Sequence, residues 1–328
     1  MVPGPLLRAR HHRPAERQRH REAAMVHYHP GELAAQRRAG VVEQAEQSRL
    51  GIGTTLPPPA VEFLAEQPMI VVGAADDGGR MWASLLTGPP GFISASDERT
   101  IDIGARPVPG DPLAPVLAHP TEVGLIAIEP GTRRRMRLNG VSHPKPGGLR
   151  VRAEQVYANC PKYIQQRTPQ RATHTRPPTP PVISKTLTPR QQETVRWADT
   201  FFVATRSASG ACDASHRGGN PGFTHVLSPD RLRWPDYGGN AMLMTLGNLQ
   251  QDPAAGVLLV DWYSATTLHL TGTAEVDWDP AIPMPGARRT VDFHVERVVQ
   301  IDNNSPFTWS APKYSRFNPT LDPQADKP

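Results

Sequence analysis

The chain has 328 residues, enough for two domains of ordinary size, each with a core of its own. Of its formal charge of +5, the first 24 residues carry +4, with six Arg against two Glu, and the remainder carries +1. That balance removes most of the electrostatic case for a nucleic-acid partner, and the lack of any long apolar run argues against a membrane span.

Residues 1–24 have no apolar core of the kind a secretory signal needs and no apolar period, so they are expected to be a disordered basic extension. Met25 stands where ordered-looking sequence begins and is an alternative start. His11, His12, His20, His27 and His29 crowd this end without metal-ligand spacing, and no metal site is expected. Residues 31–50 read as one helix rich in Ala, Glu, Gln and Arg. A short helical turn follows at VEFLAEQ. The strands PMIVVGAAD and RMWASLLTG then flank an Asp77-Gly78-Gly79 turn, followed by GFISAS and TIDIGA. VGLIAIE and RRRMRLNGVSH form a further hairpin, and LRVRAEQVYANCPKYIQQR runs from strand into helix. Residues 168–190 are rich in Pro and Thr and read as an extended linker. Beyond it come a helix at RQQETVRWAD and strands at FFVATRS, CDASHRG and GFTHVLS. A helix at AMLMTLGNLQQ, a hairpin of GVLLVDW with TLHLTGTAEV, and a long closing strand TVDFHVERVVQID complete this half. The tail from Asn303 is irregular.

The two halves repeat one another. Pro68 to Phe92 aligns without a gap on Asp199 to Phe223, and both end in Ser-x-x-x-Gly-x-Pro-Gly-Phe. Ser84 matches Ser215, Gly88 matches Gly219, and LNG at 138–140 matches LTG at 270–272. A repeat this long is a whole domain rather than a solenoid unit. The expected architecture is mainly β with some α: two tandem small barrels forming an internal pseudo-dimer. The expected boundaries are 25–167 for the first domain, 191–318 for the second and 319–328 for a tail. Cys160 and Cys212 lack CxxC spacing, which fits two plain thiols in a reducing cytoplasm.

The second copy is richer in polar groups. Ser215, His216 and Arg217 are expected to leave one turn together beside Gly218 and Gly219. They read either as a phosphate cradle or as a solvated turn with a surface Arg. Thr245 and Asn248 share a helical face and would suit the edge of a heterocycle, or simply face solvent. Asn240 is either a ligand contact or a helix N-cap. In the first copy Trp82 and Ser84 occupy matched positions, and Trp82 reads as core or as a contact across the pseudo-dimer. Arg133, Arg134, Arg135 and Arg137 form a solvated strand face or a basic lip for a phosphorylated ligand. Lys162 and Tyr163 are placed to reach the interface. Neither paired carboxylates nor a Ser-His-Asp arrangement is evident.

The runs DASHRGGNPGF, PDYGGNAMLMTLGNL, DPAAGVLLVD and LTGTAEV, in that order, resemble the pyridoxamine 5'-phosphate oxidase-like flavoproteins. WASLLTGPPGF, EVGLIAIEP and ANCPKYIQQR resemble a more divergent copy, so that the likeness covers residues 31–318. It implies the FMN-binding split β-barrel fold. By match it implies Ser215 and Arg217, next to His216, as holders of the FMN phosphate, and Asn240, Thr245 and Asn248 as flavin or ribityl contacts. The first copy would stand in for the second subunit, with Trp82 and Ser84 facing the cofactor across the interface. That copy has Ser84-Leu85-Leu86 and no Arg in its cradle, so one flavin per chain is expected. Ala241-Met242 also departs from the basic residues that many relatives carry there. The expected function is an FMN-dependent oxidoreductase acting on a small molecule, with NAD(P)H as a candidate donor, and not true pyridoxamine phosphate oxidation. The alternatives are an F420-binding protein, a haem protein using His216 or His225, or a non-catalytic flavin-binding protein. The cofactor would carry the redox step and the protein would place it.

Overall fold

A computed structural model describes residues 26–171 and 176–321. The basic extension with Met25, His11, His12 and His20, and all of the tail beyond 321, lie outside the described residues.

The helical segment expected over 31–50 is two helices, α1 (Pro30–Ala39) and α2 (Val42–Arg49). Gly40 separates them in the left-handed conformation (φ 66°), where glycine carries no Cβ penalty, and its N–H closes α1 onto the carbonyls of Gln36 and Arg37. His29 caps α1, with Pro30 next to it and the Glu32 side chain returning to the His29 backbone N–H. A third helix, α3 (Pro58–Glu66), lays Phe63 and Leu64 onto the first core.

Seven strands follow: β1 (Met69–Ala75), β2 (Met81–Thr87), β3 (Ile93–Asp97), β4 (Thr100–Ile103), β5 (Thr121–Glu129), β6 (Arg134–Lys145) and β7 (Gly148–Ala158). They pair in the order β2-β1-β5-β6-β7-β4-β3, all antiparallel. Past β7 the expected helix is absent, and residues 159–168 form turns and one isolated bridge.

The segment expected as a linker contains two short strands, β8 (Pro169–Arg171) and β9 (Val182–Ser184), before α4 (Pro189–Trp197). The second sheet contains β10 (Thr200–Arg206), β11 (Cys212–Gly218), β12 (His225–Ser228), β13 (Arg231–Tyr237), β14 (Ala254–Val260), β15 (Thr267–Asp277) and β16 (Ala287–Ile301). Between β13 and β14 lies the short helix α5 (Met244–Leu249). The order β11-β10-β14-β15-β16-β13-β12 repeats that of the first sheet strand for strand, with β9 added on β16. β13 escapes a reading of the sequence because Pro235 interrupts its apolar pattern and demotes it as a strand. The tail is not wholly irregular, since β17 (Phe307–Trp309) pairs with β8.

The repeat extends to bulges. The β6–β7 register shifts at Asn139/Gly140, and the β15–β16 register shifts at the matched Thr271/Gly272. Each half is a split β-barrel around its own apolar core, one built on Ile70, Val72, Ile93 and Ile101, the other on Phe201, Phe223, Trp234 and Phe293. Between them lies a third core in which Met69, Val71, Met81 and Ile126 meet Phe202, Ala204, Ala214 and Leu258. The halves therefore form a pseudo-dimer joined face to face.

Glycines let the sheets approach. A Cβ on Gly73 would stand 2.6 Å from Ala204 Cβ, and one on Gly256 would stand 2.6 Å from the Trp82 Cα. At the matched position, a Cβ on Gly124 would run into the Asp213 backbone. No helix among the described residues is long and apolar enough to cross a membrane.

Candidate functional site

Ser215, His216 and Arg217 stand within β11 and not at a turn. Alternation along a strand then sends Ser215 and Arg217 to one face and His216 to the other. Arg217 Nη1 donates to Ser215 Oγ at 3.1 Å, and Ser215 Oγ lies 3.0 Å from Thr245 Oγ1 on α5. His216 turns towards the first half, where its Nδ1 is 2.8 Å from Arg135 Nη1, and its ring packs edge-on to Phe202 of its own half.

A cavity between the halves gathers these groups. Arg135, Arg137, Asn159 and Tyr163 enter it from the first half, and Ser215, His216, Arg217, Asn240 and Thr245 from the second. Arg135 and Arg137, read in the sequence as a strand face or a basic lip, form its far wall. Arg137 is buried and ion-paired with Asp213 Oδ2 across the interface. Tyr157 also donates to Asp213, at 3.2 Å. Arg133 and Arg134 point elsewhere: Arg133 donates to the Ile164 carbonyl, and Arg134 pairs with Glu129 and Glu66.

The cavity carries an excess of positive charge. Asp213 serves Arg137 and Asp236 serves Arg289, while among the described residues no salt bridge reaches Arg135 or Arg217. Arg135 Nε, Arg217 Nε and His216 Nε2 are buried without hydrogen-bond partners. Burial, and then the charge of Arg137, push Arg135 down to about 9, which leaves it charged at neutral pH. Burial also lowers Arg217, against the pull of Asp236. Burial first, then Arg135 and Arg217, hold His216 well below the ordinary imidazole value, so it is neutral. Unpaired guanidiniums in a cavity are costly unless an anion joins them, and a phosphate supplies oxygens for several such donors. The residues present therefore fit the phosphate end of a nucleotide cofactor.

Not every expected residue joins this cavity. Asn248 leaves α5 in another direction, donating to Thr205 Oγ1 at 3.0 Å and meeting His29 Nε2 at 2.9 Å. Asn240 is not the helix cap; Leu243 holds that position at φ 56°, and Asn240 Oδ1 accepts instead from the Met242 N–H at 3.3 Å. Trp82 and Ser84 do not line this cavity. The alternation of β2 turns them into the first barrel, where Trp82 Nε1 donates to Asp76 and Ser84 Oγ donates to buried Asp111 at 2.5 Å. His225 sits on β12 opposite Arg233 and does not line the cavity. Tyr163 does reach across, donating to the Gly238 carbonyl at 3.0 Å, whereas Lys162 lies over the Phe317 ring.

The loop before α5 is clamped from the amino-terminal segment. Gln36 Nε2 donates to the Met242 carbonyl at 2.9 Å, and Ser48 Oγ to the Asn240 carbonyl at 2.5 Å. A Cβ on Gly247 would stand 2.6 Å from the Glu32 Cα, so α1 and α5 touch backbone to backbone. The helices that precede the first barrel thus brace the cavity wall of the second.

Residues 187–302 match the family model described as Pyridoxamine 5'-phosphate oxidase. No curated protein matches the chain. Among solved structures, HupZ of Group A Streptococcus is similar at 16% identity and TM-score 0.29, covering 34% of this chain and 92% of its own. An FMN-binding protein from Syntrophomonas wolfei is similar at 11% identity and TM-score 0.25, covering 33% of this chain and 84% of its own. An F420 reductase is similar at 14% identity and TM-score 0.23, covering 38% and 98%.

Proposed function

We propose, from the match of residues 187–302 to the pyridoxamine 5'-phosphate oxidase family, that the chain is an FMN-dependent oxidoreductase acting on a small molecule. The observation that carries the reading is the pair of guanidiniums without carboxylate partners, Arg135 and Arg217, facing one cavity from opposite halves. Ser215 and Arg217 would hold the phosphate, with Thr245 fixing the Ser215 hydroxyl through their 3.0 Å contact. Arg135 would add charge from the other half. Bound FMN would supply two-electron chemistry that no side chain here offers.

The residues around the cofactor have defined tasks. Neutral His216 orients the Arg135 guanidinium through Nδ1, so its Nε2 is the atom left for a ligand. Arg137, Asp213 and Tyr157 hold the two halves in register behind the phosphate. Tyr163 and Tyr237, with ring centroids 5.0 Å apart, pack on one another at the cavity wall.

The test is the visible spectrum of the purified chain, followed by anaerobic addition of NADH or NADPH. A flavin spectrum that bleaches with either donor supports the proposal. A single sharp band, or a colourless protein that takes up no added FMN, sinks it in favour of F420, haem or an empty scaffold. A flavin that no donor and no substrate reduces leaves a flavin-binding protein in place of an oxidoreductase.

A further inference from the structure

A second opening adjoins the cavity. It is a groove of about 490 Å³ between α3 and the β6–β7 hairpin, and it shares Arg135 and Asn159 with the cavity. Its walls are apolar: Pro59, Ala60 and Phe63 on one side, Met136, Val156 and Pro161 on the other.

The inner end of this groove is polar in a particular way. Arg135 Nε is a buried donor without an acceptor, and Asn159 Oδ1 is a buried acceptor without a donor. Both stand where groove and cavity meet. Near the outer end Arg134 is neutralised by Glu129 and Glu66, and Arg133 spends its N–H groups on backbone carbonyls. Among the described residues that line the groove, the buried guanidinium N–H without an acceptor, Arg135 Nε, is therefore at its inner end. An apolar channel closed by one guanidinium selects an apolar body that carries an acid group on one end.

We propose that the groove is the substrate subsite, and that the substrate is a small apolar carboxylic acid. Its ring or branched chain lies along Ala60, Phe63 and Val156, and its carboxylate meets Arg135 at Nε beside the cavity, so that this guanidinium bridges the carboxylate and the cofactor phosphate. This assignment rests on the cofactor reading for its chemistry but not for its binding. An amine or a sugar would leave the guanidinium unpaired and the apolar wall wet, so neither is the expected class.

The probe is naphthalene-2-carboxylate, compared with naphthalene-2-methanol, which keeps the body, and acetate, which keeps the charge. Binding is read by calorimetry on FMN-treated full-length protein, and by perturbation of the flavin spectrum where flavin is bound. The carboxylate is expected to bind at least about tenfold more tightly than the alcohol, the size of one charge-assisted contact, and acetate not measurably. Ala60→Trp, which fills the groove away from the cavity, is expected to abolish naphthoate binding while FMN uptake stays unchanged. Equal affinity for the acid and the alcohol overturns the proposal, and so does naphthoate binding that survives Ala60→Trp. Loss of FMN uptake in a folded Ala60→Trp variant also overturns it, because the groove would then house the cofactor. Naphthoate binding to a protein that takes up no FMN keeps the groove and removes the cofactor reading.

Discussion

Arg137 on β6 and Asp213 on β11 form a buried ion pair that joins the two halves, with side-chain exposures of 7% and 5%. Asn139 and Tyr157 of the first half also donate to Asp213 Oδ1, at 3.4 and 3.2 Å. Removing one partner strands a charge in the interface. Asp213→Ala is expected to lose about 3–5 kcal/mol of stability. Replacing both partners together, as Arg137→Met with Asp213→Leu, is expected to lose clearly less than the sum of the two single changes. Denaturant unfolding of the four proteins measures it.

Arg217→Ala is expected to weaken FMN binding at least about tenfold, because a charge-assisted contact to the phosphate is removed. The same change is expected to leave the cofactor-free protein as stable as before or more so, since it relieves repulsion with Arg135 and Arg137. Thermal unfolding with and without FMN reads both effects. A variant that binds FMN as tightly as the parent removes Arg217 from the phosphate site.

Glu32 is buried against α5, and burial raises its carboxyl from the ordinary range to about 8. The folded protein then holds a proton that the unfolded chain has released above about pH 4.5. Stability is expected to fall as pH rises from about 5 to 8, by at most about 1.4 kcal/mol per pH unit, and to level off above that. Glu32→Gln keeps a residue able to close the capping box and is expected to flatten that slope. Unfolding measured across this range decides it, and an unchanged slope in the variant shows that Glu32 is ionised in the native state.

Gly124→Ala is expected to cost about 1–3 kcal/mol, because its Cβ meets backbone of the opposite half, which has nowhere to go. Gly256→Ala is expected to behave alike, against the backbone of Met81 and Trp82. Gly238→Ala, where nothing lies within 4 Å of the added carbon, is the control and is expected to be neutral. Equal stability of all three variants by thermal unfolding contradicts the face-to-face packing.

Strands such as β1 and β10 were legible in the sequence because they are continuous β-branched or aromatic runs between turn residues. β13 was not. It carries Pro235, and its charged Arg233 and Asp236 are matched by Asp292 and Arg289, partners that only β16 brings alongside. Ser215 and Arg217 were legible as polar neighbours two residues apart, whereas Thr245 was joined to them only through the family resemblance; helix spacing grouped it with Asn248, which leaves α5 in another direction. Arg135 and Arg137 were open to two readings, a solvated face, as charge on a strand usually is, or a basic lip for a phosphorylated ligand. The surface that buries them belongs to the other half, and no local pattern encodes it. The same limit hid the orientation of Trp82 and Ser84. The repeat matched them to β11, but the counterpart of Arg137 in the second half is His269, which meets the Ala83 carbonyl and lies 3.9 Å from Asp111. What is an open cavity on one side of the pseudo-dimer is a packed hydrogen-bonded cluster on the other.

Both walls of the cavity belong to one polypeptide, and that changes how the site responds to concentration. A site shared between separate subunits comes apart on dilution, so its ligand affinity and its heat resistance depend on how much protein is present. Here the first half accompanies the second at a fixed effective concentration set by the chain itself. Ligand binding by this protein is therefore expected to follow a single-site isotherm whose midpoint is the same at nanomolar and at micromolar protein.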